Sequence, residues 1–216
     1  MRQMRGNKIR ELSEKELANI LAEYPKIILD LGTGDGMWAY RKAQTESQSL
    51  VIGIDPAEKP LKRGARKAQR AKLENVLFLV ESAENLPESL DGKVNELRVF
   101  LPWGKLLEIM VGKDKEALRA LAKLLKEDGN MQTVLGYHIE AEPTEIKRLK
   151  LPELTETYIE NVLVPAYRDA GLQVTKTEEM NKVQLAELGT SWGKKLAQGQ
   201  QRPLIFIEAI KSKQVV

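Results

Sequence analysis

The chain has no cysteine and only one histidine, His138. Without thiols there is no disulfide, no thiolate nucleophile, no cysteine-ligated zinc and no iron–sulfur cluster, which excludes radical chemistry that depends on such a cluster. A single histidine rules out multi-histidine metal sites, and a surface or strand position is the simpler reading of His138; no metal is expected. No apolar run approaches the roughly 18–20 residues that span a membrane. The basic N-terminus, MRQMRGNKIREL, is followed by no apolar stretch of the kind a secretory signal needs. A cytoplasmic protein without a membrane partner is therefore expected. Excess charge is scarce as well: 34 basic against 31 acidic side chains give +3, too little by itself to argue for nucleic acid.

A hydrophobic fraction of 42% over 216 residues can fill one sizeable core. We expect a single domain over 1–216, with functional insertions near 138–153 and 180–203. The distribution of charge says more than its sum. From Lys59 to Lys72 there are seven basic residues and no acid, whereas acids gather at Glu140, Glu142, Glu145, Glu153, Glu156 and Glu160.

Ser13-Glu-Lys-Glu16 reads as a capping box opening a helix that runs to about Glu23. Apolar runs predict strands at Lys26–Asp30, Leu50–Asp55, Val76–Val80, Leu97–Leu101 and Asn130–Tyr137. Helices are expected near Met37–Ala43, from Pro60 to Leu73, at Leu106–Val111 and Lys115–Leu125, and over Thr155–Ala170 up to Gly171. Two further strands, Gln173–Thr177 and Leu204–Ile210, have no crossover helix between them and should pair antiparallel. Alternating strands and helices imply an α/β fold with a seven-stranded, mostly parallel sheet covered on both faces. The connection from about Met180 to Pro203 is far longer than an ordinary loop and reads as functional.

Asp30-Leu-Gly32-Thr-Gly34-Asp-Gly36 follows the first of these strands and opens a helix. Glycines there let the backbone turn sharply and approach a ligand. Asp55 ends the next strand, 21 residues after Gly34, where a carboxylate accepts hydrogen bonds from both hydroxyls of an adenosine ribose. A dinucleotide would place its phosphates at the helix N-terminus, but Asp30 and Asp35 would repel them. Carboxylates suit the cationic amino group of S-adenosylmethionine. Gly32, Gly34, Asp30 and Asp55 are thus candidate cofactor residues, with Ala83 and Glu84, just after the third strand, bordering the adenine.

Phe100-Leu-Pro-Trp-Gly104 follows the fourth strand, at the crevice where open sheets bind ligands. Many amino-group methyltransferases have a Pro-Pro-aromatic stretch here, whose ring stacks on the target base. Pro102 and Trp103 are candidates for that role, while Trp38 reads as core packing or cofactor cover. Lys62, Arg63, Arg66, Lys67 and Arg70 fall on one broad helical face, opposite Leu61, Ala65, Ala68 and Leu73. A solvated face usually interleaves acids for i,i+4 pairing, so this one is read as a phosphate-contacting surface. Lys147, Arg148 and Lys150 form a second candidate patch.

DLGTGDG, GIDP at Gly53–Pro56, SAENLP at Ser82–Pro87, LPWG at Leu101–Gly104 and SWGKKLAQGQQR at Ser191–Arg202 together resemble the kanamycin–apramycin resistance methyltransferases. The likeness spans nearly the whole chain in order. It implies a Rossmann-like class I methyltransferase acting on N1 of the adenine at position 1408 of 16S rRNA, conferring aminoglycoside resistance. It also implies a flipped adenine clamped between Trp103 and Trp192, with Arg202 gripping RNA. Lys194 and Lys195, beside Trp192, are expected on that RNA surface, and Leu101, Thr190 and Ser191 at the cofactor. Two departures stand out: Gln200 and Gln201 replace basic residues of some relatives, and Lys105 stands where a close relative has threonine. The implied partner is the small ribosomal subunit, through 16S rRNA, met by a monomer. Stacking tryptophans do not by themselves choose the base, so the residues alone leave open another rRNA base or a small molecule. Adenine N1 is neutral near pH 7 with an in-plane lone pair, so its methylation needs no general base, only positioning and a base flipped out of its helix.

Overall fold

A computed structural model describes residues 1–137, 143–199 and 202–213. The reading of His138 and the readings of Glu140, Glu142, Gln200 and Gln201 lie outside those residues. Two compact units divide the chain: Met1–Arg98 with Leu124–Gly129, and Val99–Lys123 with Asn130 onward.

The first unit opens with a feature that no apolar run marks. β1 (Arg2–Arg5) and β2 (Lys8–Glu11) form an antiparallel hairpin, with Met4 opposite Ile9. Only these two apolar residues mark it in a polar, basic stretch, but Gly6-Asn7 between the strands is a two-residue hairpin turn, and Gly6 has φ of 64°. α1 (Glu14–Ala22) begins with the expected box: Ser13 accepts from the Glu16 N–H, and the Glu16 carboxylate accepts from Ser13. β3 (Lys26–Leu31), α2 (Met37–Thr45), β4 (Ser49–Ile54), α3 (Glu58–Arg70), β5 (Val76–Leu79) and β6 (Val94–Phe100) follow. Pro60 is the third residue of α3 rather than the first, still inside the turn whose N–H groups need no helical partner. Strand order in this unit is β2-β1-β5-β4-β3-β6. β3 runs parallel to β4 and β6, and β4 to β5. β1 meets β5 antiparallel. Ile28, Val51 and Phe78 from the strands, Leu61, Ala65 and Ala68 from α3, and Met4 from the hairpin share one core.

The second unit contains α4 (Gly104–Met110), all but the last residue of α5 (Lys115–Leu124), and α6 (Pro143–Leu149). β7 (Leu125–Leu135) begins in the first unit and ends in the second. The helix expected over Thr155–Ala170 is broken into α7 (Glu156–Tyr158), a wider π turn (Ile159–Leu163) and α8 (Val164–Asp169). Pro165 explains the widening: it has no N–H to give and its ring crowds the carbonyl four residues back. β8 (Leu172–Glu179) and β9 (Ile205–Lys211) pair antiparallel, as expected, and β9 also pairs antiparallel with β7.

The expected long loop between the last two strands is instead helical. α9 (Lys182–Glu187) is capped by Asn181 and α10 (Ser191–Ala197) by Thr190. The Rossmann-like class I architecture stands, but the seven-stranded, mostly parallel sheet does not. All seven expected strands are present, the N-terminal hairpin brings the described strands to nine, and strand directions are mixed.

Candidate active site

In the first unit, the turn after β3 is fixed from several sides. The N–H groups of Gly32 and Thr33 both donate to the Ile54 carbonyl, at 2.8 and 3.0 Å. Gly32, Gly34 and Gly36 have φ of 76°, 61° and 67°, a region that costs other residues a clash at Cβ. A Cβ on Gly34 would meet nothing within 4 Å, so the face of the turn there is open. Gly36 is different: Gly64 of α3 packs so closely that a Cβ on it would lie 2.6 Å from the Gly36 backbone.

Three carboxylates surround this turn and do different things. Asp55 accepts from the Gly34 N–H through Oδ2 and from the Ala57 N–H through Oδ1, both at 2.8 Å. Burial raises its pKa, and these two donors oppose the rise. A carboxylate oxygen has a second lone pair, so each can still accept from a ribose hydroxyl. Asp35 is committed elsewhere: it accepts from the Met37 N–H and pairs with Arg63 at 2.8 Å. Asp30 is only 3% exposed, accepts from the Thr33 hydroxyl, and has its pKa raised by burial. Of the two acids singled out beside an ammonium, Asp30 is therefore the one not already ion-paired to a surface arginine. A buried carboxylate, an open glycine turn and a second carboxylate fixed at the next strand's end fit S-adenosylmethionine. Ala83 is half-buried and Glu84 exposed in the turn after β5, where the Asn85 N–H donates to Ser82.

Trp38 packs on the first unit's core, half-buried, with the Arg98 guanidinium 3.8 Å from its ring centroid. Nothing in the sequence singles out Arg98. It falls between apolar neighbours on a strand, and nothing local distinguishes it from an outward-facing charge.

The second unit holds both candidate stacking residues. Leu101 has φ of 54°, a left-handed conformation that leucine rarely adopts, and its N–H donates to Val134 at 2.8 Å. Such strain persists only where surroundings enforce it, and it gathers at functional sites. Pro102 is buried, while Trp103, at the N-cap position of α4, is 52% exposed. Trp192 is 49% exposed on α10, whose first turn is held by the Thr190 hydroxyl accepting from the Gly193 N–H at 2.9 Å. Lys195 lies 5.0 Å from its ring, a cation–π distance. Leu185 of α9 and Leu196 of α10 share a small core with Val134 and Leu204, against which Leu101 packs. The segments bearing the two tryptophans are thus built on one apolar cluster.

The basic candidates divide into paired and unpaired groups. On α3, Lys62 is 2.8 Å from Glu58, one residue before the acid-free run, and Arg63 pairs with Asp35. Lys67 lies 6.0 Å from the Tyr40 ring. Arg66 and Arg70 are exposed, with no ion pair among the described residues. Arg148 donates through Nε and Nη2 to Glu145, and Arg202 donates to the Gly136 carbonyl at 3.2 Å. Lys147, Lys150, Lys194 and Lys195 are exposed. Lys105 pairs with Asp114 at 2.7 Å. Among the described residues no three His, Asp or Glu side chains are grouped to hold a metal, and no helix is long and apolar enough to cross a membrane.

A family model described as NpmA, 16S rRNA (adenine(1408)-N(1))-methyltransferase, matches residues 2–211. A 16S rRNA (adenine(1408)-N(1))-methyltransferase of Escherichia coli is 30% identical over 215 residues, covering 97% of this chain and 98% of that one. The crystal structure of the 16S rRNA methyltransferase KamB superposes with a TM-score of 0.87 at 30% identity, covering 99% of this chain and 100% of that one. A mutant 16S rRNA (adenine(1408)-N(1))-methyltransferase from Catenulisporales acidiphilia, solved with its cosubstrate SAM, superposes with a TM-score of 0.85 at 27% identity, over 100% and 99% of the two chains.

Proposed function

The chain belongs to the 16S rRNA (adenine(1408)-N(1))-methyltransferase family, and we propose how its residues divide the work of that enzyme. It is an S-adenosylmethionine-dependent enzyme that methylates N1 of adenine 1408 of 16S rRNA in the small ribosomal subunit and so confers aminoglycoside resistance. The methyl donor supplies a carbon made electrophilic by its sulfonium. Asp55 holds the ribose, Asp30 the ammonium, and Gly32 and Gly34 let the backbone approach between them. Ala83 and Glu84 border the adenine of the donor; Leu101, Thr190 and Ser191 are assigned to the donor by the family likeness alone.

Trp103 and Trp192 stack on the flipped target adenine, with Pro102 fixing the first indole. The in-plane lone pair of N1 forms the new N–C bond as the S–C bond breaks, and the positive charge passes to the methylated base. No proton leaves N1, so the residues need only bind, orient and exclude water. Arg66, Lys67 and Arg70, with Lys62 and Arg63, Arg148, Lys194, Lys195 and Arg202, meet phosphates. The observation that carries this assignment is the half exposure of two tryptophans whose segments share one small core. Half-exposed indoles on segments that share one core support a binding surface, where aromatic rings are enriched.

We further propose that the chain works as a monomer and as one catalytic domain. β6 and β7 each run through both compact units, which supports the single-domain reading. A ribosomal substrate puts the reaction in the cytoplasm. The test is mass mapping of purified small subunits treated with the protein and S-adenosylmethionine, with primer extension across the product. One methyl on the fragment containing adenine 1408, with extension blocked there, is expected. A methyl on a guanine, or none on the subunit, would contradict the assignment.

A further inference from the structure

One buried charge beside the donor turn has no part in the division of work above. Arg98 lies in β6 and is 6% exposed. Taking a guanidinium out of water is expensive unless a partner repays it. Its register partner on the parallel strand β3 is Asp30, so the two side chains leave the same face of the sheet as neighbours. The Trp38 ring covers the guanidinium 3.8 Å from its centroid, a stacked cation–π contact that fixes its plane.

Asp30 needs such a neighbour. Burial favours its neutral form, and the Asp55 and Asp35 carboxylates push the same way. Arg98 is the largest influence in the opposite direction, ahead of the hydrogen bond from Thr33. Arg98 itself is drawn down to about 10 by burial, with Arg41 of α2 adding repulsion and Asp30 opposing both, so it is still a cation at neutral pH. A protonated Asp30 would offer an ammonium no charge.

We propose that Arg98, clasped by Trp38, is a positioning residue that keeps Asp30 a carboxylate for the ammonium of the methyl donor. The inference rests on the reading of Asp30 as the ammonium's partner and adds the group that makes this role possible in a buried position. Arg98 touches neither donor nor base in this scheme and acts only through Asp30.

S-adenosylmethionine affinity measured by titration calorimetry across a pH series tests it. In the wild type, affinity falls on the acid side as Asp30 takes up a proton. Arg98→Met should move that acid limb to higher pH by about one unit or more, the scale of a lost neighbouring charge, with affinity recovering at higher pH. Arg98→Lys should shift it less, and Trp38→Leu should shift it slightly in the same direction. The donor's own amino group titrates alike in every variant, so the comparison isolates Asp30. A merely structural role would lower affinity by one factor at every pH, and that result, or an unmoved acid limb, overturns the proposal. If Arg98→Met does not fold, Arg98→Lys and Trp38→Leu carry the same comparison. Asp30→Asn separates the two levels. Wild-type affinity in that variant removes the Asp30 reading itself, whereas weak, acid-insensitive binding there with an unmoved limb in Arg98→Met removes only the role of Arg98.

Discussion

The turns that follow β3 and β6 leave the C-terminal ends of two neighbouring parallel strands, yet they are built in opposite ways. After β3 the polar groups are partnered before any ligand arrives. Gly32, Thr33 and Gly34 donate to Ile54 and Asp55, and Asp35 is tied to Met37 and Arg63. After β6 the backbone is strained at Leu101, and an indole stands half in water at Trp103. A small cationic ligand is recognised by charge, and charge works best when its geometry is set in advance. A flat base is recognised by its π face, and stacking gives its energy only when the partner covers the ring. The first turn thus suits the proposed donor site and the second the proposed base-stacking site.

Separating binding of the subunit from binding of the donor sharpens this contrast most. Arg66→Glu with Arg70→Glu should weaken small-subunit binding by about two orders of magnitude at moderate salt and lower the salt slope by about 2. Affinity for S-adenosylmethionine should stay at the wild-type value. Filter binding over a salt series, with calorimetry in parallel, checks both; normal subunit binding would reduce the face of α3 to a solvated surface.

A somewhat smaller effect is expected on the preformed side. Asp55→Ala removes a charged acceptor from the Gly34 and Ala57 N–H groups and, on the proposed assignment, from the donor's ribose. Hydrogen bonds to charged groups contribute about 1.5–3 kcal/mol, so donor affinity should fall roughly 10- to 150-fold. Calorimetry on the folded variant showing unchanged affinity would break the assignment.

The smallest effect concerns how Trp192 is presented. Thr190→Ala deletes the cap of α10, a loss of about 1 kcal/mol. Because α10 is short and rests on the core of Leu185 and Leu196, the loss should be local. Proteolysis between Asn181 and Pro203 should accelerate while the global melting temperature moves by only a few degrees. A global melt with no local change would mean that α10 is not a separately ordered segment.

Much of this was legible in sequence because it rests on local chemistry. Ser13 and Glu16 cap a helix by spacing alone, Gly32 to Gly36 announce a tight turn, and Asp55 sits where a strand ends. Trp103 is a stacking candidate from its place after the fourth expected strand, and it is half exposed. What escaped depends on distant partners or weak patterning. The hairpin of β1 and β2 has too few apolar residues to show as an apolar run, although its Gly-Asn turn was a usable signal. α9 and α10 are short and draw stability from Val134 and Leu204, which are remote in sequence. The tie of Arg63 to Asp35, 28 residues apart, is a fact of packing that a basic run does not disclose, whereas Glu145 and Arg148 are an i,i+3 pair that spacing alone offers. Arg98 is the clearest case, since only its strand register shows that it faces Asp30.

The assignment of the half-exposed indoles to the target base is tested most directly at Trp192, on α10. Methylation of adenine 1408 on purified small subunits would be followed by primer extension for wild type, Trp192→Phe and Trp192→Ala, with donor affinity measured on the same preparations. Base stacking contributes about 1–3 kcal/mol per base, so alanine should slow methylation roughly 5- to 150-fold. Phenylalanine should fall between, since its smaller ring still offers a π face, and donor affinity should be the same in all three. A wild-type rate in Trp192→Ala, or a loss accounted for entirely by weaker donor binding, would contradict the assignment of this indole to the target base.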